Sequence, residues 1–371
     1  MNICLVLFFL TSLKDLFLTH TPEERLLLFS WGAVVTVLAL YSLVLGNEPS
    51  LIVRFSIIIF LLVSAYYIYP RKIYIDIFLS LILLQALFVI LLEAYLITEF
   101  TPSNYSPIRI YFRTMGWGDI YTFGGPLWKI QIRGNVLIPF AFFVSTIYLN
   151  GWRRVIAASI FLVATILAGN FAFILGIAAF SGLYLVGQMK TQDRLLGGLF
   201  LFVILCAVLA IPVQDYLLQT IQAKSATSNP VRIDQIVVLV DALTSSVRST
   251  FFGTGLGHTV DVVTGWRNYK GDIYYELQSL FFLSQLGAFF FIFVLVNILT
   301  SFMFIKESYA LIAYICYVFY ALFNPYFLDT SHIVAIIVCV SLSKILRDRR
   351  STSEAREYPV ENLFNRRHLQ S

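Results

Sequence analysis

Residues 73–97 read IYIDIFLSLILLQALFVILLEAYLI, and this stretch decides the fold. As a helix it is about 37 Å long, enough to cross the roughly 30 Å hydrocarbon core of a bilayer. It is too long and too uniform for the alternating strands of a membrane barrel. The whole 371-residue chain has the same character: 59% of it is hydrophobic and only 13% is charged, with a mean hydropathy of +0.81. A chain this poor in polar residues cannot coat a water-soluble globule. In lipid, backbone amides need internal partners, so the expectation is an all-α, polytopic integral membrane protein.

Hydropathy places spans near 3–18, 26–46, 51–69, 73–97, 136–150, 154–168, 171–187, 195–213, 277–303, 309–324 and 330–346, about eleven in all. Lys14 follows the first apolar run instead of preceding it, so 3–18 is expected to remain as a span. One transmembrane domain over 1–346 and a basic tail over 347–371 complete the organisation. Arg25, Arg71 with Lys72, Arg153 with Arg154, Lys190 with Arg194, and Lys306 fall on alternate connectors, as does the arginine-rich tail. Connectors 47–50, 169–170 and 325–329 have no Lys or Arg. Basic residues concentrate on the cytoplasmic side, which sets the C-terminus inside and the long polar loops 98–135 and 214–276 together outside. The net charge of +5 is therefore read as a membrane anchor, and no nucleic-acid partner is expected. All four cysteines (Cys4, Cys206, Cys316, Cys339) lie in apolar segments, so neither a disulfide framework nor a thiolate metal site is indicated.

In the second loop Ile233, Ile236, Val240, Leu243 and Val247 recur at helical spacing, while Asp234, Asp241 and Arg248 occupy another face. This pattern predicts an amphipathic helix along the membrane surface, ending at Gly253. In the first loop Arg109 and Arg113 suit a helical face, whereas Ile108, Ile110 and Phe112 alternate as in a strand. Arginine binds phosphate bidentately, so Arg109, Arg113, Arg133, Arg232, Arg248 and Arg267 are candidate anion ligands beside a membrane, with Arg133 and Arg232 best placed. Most such cations are expected to be solvated loop charges. Tyr105, Tyr111, Trp117, Tyr121 and Trp128 suit either sugar stacking or an interfacial aromatic belt.

The segment Gly253, Thr254, Gly255, Leu256, Gly257, His258 lacks both the Lys-Ser/Thr of a P-loop and the last glycine of a dinucleotide fingerprint, and reads by default as a flexible turn. Glu276 stands at the mouth of a span, where desolvation would make it a stronger base. Pairing with a nearby arginine is the equally weighted alternative. Leu280, Leu283 and Gly287 follow on its helical face. Arg54 and Glu93 lie roughly 5 to 8 Å inside adjacent span ends and suit a structural ion pair. The histidines are scattered, so no metal is expected.

With these residues in view, the chain resembles the Wzy-type O-antigen and capsular polysaccharide polymerases, and more distantly the O-antigen ligases. The resemblance rests on Arg232 with Gln235, on Gly253, Gly255 and Gly257, and on Glu276 through Leu286 and Gly287. Arg133, Gly134, Asn135, Asn324 and Pro325 look like further family positions. Ligases carry a histidine where this chain has Glu276, which favours a polymerase, although His258 offers a ligase reading its histidine. The resemblance implies a GT-C-like membrane glycosyltransferase of the bacterial inner membrane, without cofactor, with its large loops periplasmic. It also implies undecaprenyl-pyrophosphate-linked glycans as substrates, and membrane lipids, a chain-length regulator and a flippase as partners. Glu276 would be the catalytic base. Arg133, Arg232, Arg109, Arg113, Arg248, Arg267, Gly253, Gly255, Gly257 and His258 would bind pyrophosphate or glycan. A transporter is the reading from another class, disfavoured because most intramembrane charges lie near span ends.

Overall fold

The computed structural model describes residues 21–122, 128–188, 230–273, 275–322 and 324–357. The expected spans at 3–18 and 195–213 lie outside the described residues, as does the tail beyond 357.

Helix α1 (Pro22–Val44) starts with a capping box, in which the Thr21 hydroxyl accepts from the Glu24 N–H and the Glu24 carboxylate accepts from the Thr21 N–H. A tight turn through Gly46 leads to α2 (Pro49–Ser64), which tightens into a 3-10 turn over Ala65–Tyr67. Next come α3 (Lys72–Glu99), the short α4 (Ser106–Thr114), strands β1 (Gly118–Tyr121) and β2 (Lys129–Ile132), then α5 (Leu137–Tyr148), α6 (Gly151–Leu167) and α7 (Phe171–Gln188). After the undescribed segment the chain forms α8 (230–244) and α9 (Val247–Phe252). It ends with α10 (Gln278–Ser301), α11 (Ser308–Leu322) and α12 (Thr330–Glu357). Among the described residues, six helices (α1, α2, α3, α7, α10 and α12) are long and apolar enough to cross a membrane, and α5 and α11 are shorter apolar helices.

Their outward faces carry exposed Leu26, Phe29, Val37 and Leu40 on α1, Leu81, Leu84 and Leu91 on α3, and Phe289, Ile292 and Val296 on α10. Apolar faces this extensive are stable only under a lipid cover. Inside the bundle, a chain of buried polar groups links His332, Tyr314 and Tyr66. The His332 ring faces the Phe327 carbonyl with Nδ1 and the Tyr314 hydroxyl with Nε2 at 2.7 Å. Because a carbonyl only accepts, Nδ1 carries the proton, Tyr314 donates to Nε2, and Tyr66 in turn donates to Tyr314.

Contacts sort the connectors onto two ends of the bundle. At one end Lys344 reaches Tyr69, Arg349 lies over Tyr148, and Arg350 pairs with Glu307 at 3.1 Å. At the other end Asn47 bonds the carbonyls of Thr254 and Leu256, Asn170 bonds Asn324, and Gln278 exchanges two hydrogen bonds with the Leu328 backbone. The described residues of both polar loops, with Lys129 of the first against Gly169, therefore stand on the end opposite the basic residues of α12.

The fold is mostly helical, as expected, with one added antiparallel hairpin of β1 and β2 in which Ile120 and Ile130 are paired and buried. Gly118 permits it, since a Cβ there would lie 2.0 Å from the Gln131 carbonyl oxygen. The expected span 277–303 is interrupted at Gly287, which has φ 67° and ψ 171°. Helix α12 runs on past the expected span end at 346 to Glu357. Finally, Glu93 does not pair with Arg54: its carboxylate is buried and accepts the Trp128 N–H at 2.9 Å, fastening the first loop's return to α3.

Candidate functional site

The first loop resolves its helix-or-strand ambiguity by using both. Residues 106–114 are helical, so Arg109 and Arg113 lie one turn apart and share a face. Both reach Asp119 at the start of the hairpin: Arg109 makes two bonds of 2.8 and 3.1 Å, and Arg113 one of 2.8 Å. Burial pushes the Asp119 carboxyl up, but the bonds and charges of the two arginines outweigh it and hold the group below its usual range. Sequence reading missed Asp119, whose only signal is a lone acid just beyond two arginines.

A carboxyl depressed on folding stabilises the fold above its unfolded pKa of about 3.9, and that contribution is lost as pH falls through the lower folded value. Replacing Asp119 with Asn should therefore loosen the hairpin by about 1–2 kcal/mol at neutral pH, discounted because Arg113 is largely solvated. Limited proteolysis of residues 98–135 against pH should show faster cleavage in the variant at pH 7. The difference should shrink below about pH 4; equal cleavage at pH 7 would disprove the anchoring role.

In the second loop α8 forms where the periodicity placed it, but it breaks at Ser245 and Ser246. The Ser246 hydroxyl caps the separate helix α9, which ends at Gly253 with φ 78°. Ile233, Ile236, Val237 and Val240 point outward, while Gln235, Val238 and Leu239 are buried. Asp234 accepts from the hydroxyls of Thr264 (2.6 Å) and Tyr269 (2.8 Å), tying the following loop to the helix.

The glycine stretch is a clamped joint, not a flexible turn. Gly253, Gly255 and Gly257 all take positive φ, and their N–H groups are committed to the Ser249 carbonyl, the Gln285 carbonyl and the Gln285 Oε1 respectively. Thr254 N–H caps the Ser284 carbonyl, and Leu256 N–H binds the Ser42 hydroxyl. These amides close the break in α10 and dock it onto α1, which leaves none of them for a phosphate. His258 is largely enclosed, and burial lowers its imidazole below the ordinary value. Gln285, Ser42 and Asn47, which hold this joint, had no sequence signal because they pair across long separations.

Glu276 and Arg232 meet. Arg232 Nε donates to Glu276 Oε2 at 2.9 Å, and the side chains are 41% and 46% exposed. The desolvation expected for Glu276 is therefore not supplied by the fold, whereas the alternative of an arginine partner is met. Glu276 Oε1 has no hydrogen-bond partner among the described residues. The first loop is coupled to this pair electrostatically. Burial, then the charges of Asp119 and Glu276, push the Tyr121 phenol up to about 12 against the opposing pull of Arg109, so Tyr121 stays a donor. Burial, Asp329 and Tyr121 push Tyr326 to about 12 as well. Tyr121, Tyr326, Glu276 and Arg232 thus share one electrostatic neighbourhood at the loop-bearing end.

The remaining arginines divide. Arg267 is paired with Asp272. Arg133 is exposed, and among the described residues neither it nor Arg248 on α9 makes an ion pair. Arg133 is held by its backbone, which donates to the Trp117 carbonyl at 2.8 Å and accepts from Gln85 at 3.0 Å. Among the described residues no group of three or more His, Cys, Asp or Glu side chains gathers to hold a metal. No family model, no curated protein and no solved structure matches this chain.

Proposed function

We propose that this chain is an inner-membrane polysaccharide polymerase, joining undecaprenyl-pyrophosphate-linked repeat units at its periplasmic loops, with the basic end of α12 in the cytoplasm. The observation that supports it best is the solvent-accessible Arg232–Glu276 pair, whose carboxylate acts electrostatically on Tyr121 of the other loop. An acid with one open oxygen beside a guanidinium suits transfer of a glycan from a diphosphate. The acceptor hydroxyl oxygen attacks the donor's anomeric carbon from the face opposite the diphosphate and inverts it. The bond to the diphosphate breaks with its electron pair leaving on that group, and the hydroxyl proton goes to Glu276. Protonation neutralises Glu276 and releases Arg232 to stabilise the departing diphosphate, with Arg133, which makes no ion pair among the described residues, as a second cation. Arg109 and Arg113, already committed to Asp119, position the hairpin.

A translocation reading gains one observation, the broken helix α10, because discontinuous spans line transport sites. Here two of the carbonyls freed by the break, those of Ser284 and Gln285, are capped by Thr254 and Gly255, which leaves fewer ligands for an ion. Deleting the gene separates the readings. Loss of long chains with a single transferred repeat remaining supports the polymerase, accumulated carrier-linked polymer supports a ligase, and repeat units trapped on the cytoplasmic face support a flippase.

A further inference from the structure

The five Tyr and Trp side chains of the first loop fall into different environments. Trp128 is buried against Tyr105 at 5.1 Å, and its N–H is held by Glu93. Tyr121 is largely enclosed beside Arg109. Tyr111 and Trp117 are different: they meet edge to face, with centroids 5.7 Å apart and planes at 87°, yet stay 47% and 48% exposed. The buried Phe112 supports the Trp117 ring from behind at 5.5 Å. Trp117 is thus held in one orientation while a large part of its apolar surface remains open. Beside it lies Arg133, whose backbone N–H holds the Trp117 carbonyl. Its guanidinium packs over Gly116, where an added Cβ would stand 3.4 Å from a terminal nitrogen.

We propose that Tyr111, Trp117 and Arg133 form a saccharide-binding corner. Rigid aromatic faces cover the C–H faces of pyranose rings at little entropic cost, and an unpaired guanidinium beside them takes ring hydroxyls or an acidic sugar substituent. The corner holds the sugar chain while Arg232 and Glu276 act at its diphosphate end. Its place in catalysis rests on the proposed polymerase reading, but sugar binding does not. The competing occupant is the bilayer interface, which also attracts Tyr and Trp. The charged groups flanking the two rings (Arg113, Asp119 and Arg133) favour the glycan.

The test uses the full chain in lipid nanodiscs and, as probe, the fluorescently labelled oligosaccharide freed from the host's carrier lipid by mild acid, measured by equilibrium dialysis. Trp117→Ala and Tyr111→Ala should each weaken binding at least tenfold. Trp117→Phe should retain most of it, and Trp152→Ala, far from the loops, should leave it unchanged. Equal binding by wild type and Trp117→Ala would overturn the proposal, as would no binding by wild type. Quenching of Trp117 by lipids brominated on their acyl chains would overturn it too, assigning the rings to the membrane. Binding lost in Trp117→Ala while the wild type polymerises nothing would refute the reaction and leave the corner standing.

Discussion

Glu276→Gln is expected to abolish long-chain product while single-repeat product and protein level persist. The substitution keeps the shape of the side chain and a carbonyl oxygen for the Arg232 Nε–H, which now bonds Glu276 at 2.9 Å. What it removes is the negative charge that accepts the acceptor's proton. General-base removal costs about 10²- to 10⁴-fold in rate, enough to stop extension at the first transfer. The fold should not suffer, because an ion pair this exposed contributes about 0–1 kcal/mol to stability. Gel analysis of surface glycan beside a blot of the tagged protein reads both quantities at once. Undiminished chain length in Glu276→Gln would remove the base from the mechanism and leave Glu276 as an interfacial partner of Arg232.

Gly287→Ala should give the largest loss of stability. Gly287 and Gly253 sit back to back at φ 67°, ψ 171° and φ 78°, ψ 178°, in a region open essentially to glycine alone. A Cβ on Gly287 would lie 2.3 Å from the Gly253 nitrogen and 2.5 Å from the Phe251 carbonyl, all backbone atoms that cannot turn aside. Strain and overpacking together cost about 2–6 kcal/mol. Thermal unfolding in detergent should show Gly287→Ala and Gly253→Ala melting well below wild type. Gly265→Ala, with nothing within 4 Å of its added Cβ, should melt normally. If Gly287→Ala melts with Gly265→Ala, the joint does not hold the loop. The consequence reaches the site, because this joint fixes α8 and α9 against α10 and so sets where Arg232 stands relative to Glu276.

Legibility differed between residues for physical reasons. The apolar runs were readable because burial in lipid is a local, additive property of successive side chains, and a helix stands in the place of each expected span that falls within the described residues. The amphipathic helix at 230–244 was readable for the same reason. Its break was not, because the Ser246 cap depends on one hydroxyl reaching a backbone N–H three residues on. The glycines announced a special backbone but not its purpose, which lies in Gln285 and in Ser42, the latter 214 residues from its partner Leu256. Arg109 and Arg113 read from sequence as anion ligands, and their shared partner Asp119 had no signal there because it meets them only through the fold of the hairpin.

By itself, the sequence determined that this chain is built from apolar helices requiring lipid, and where those helices run, because transfer from water is summed along the chain. Only the tertiary structure decided which charges neutralise one another, which rings stay open, and that Glu276 meets Arg232. Those outcomes depend on angles and on contacts between distant segments, which no local sum contains.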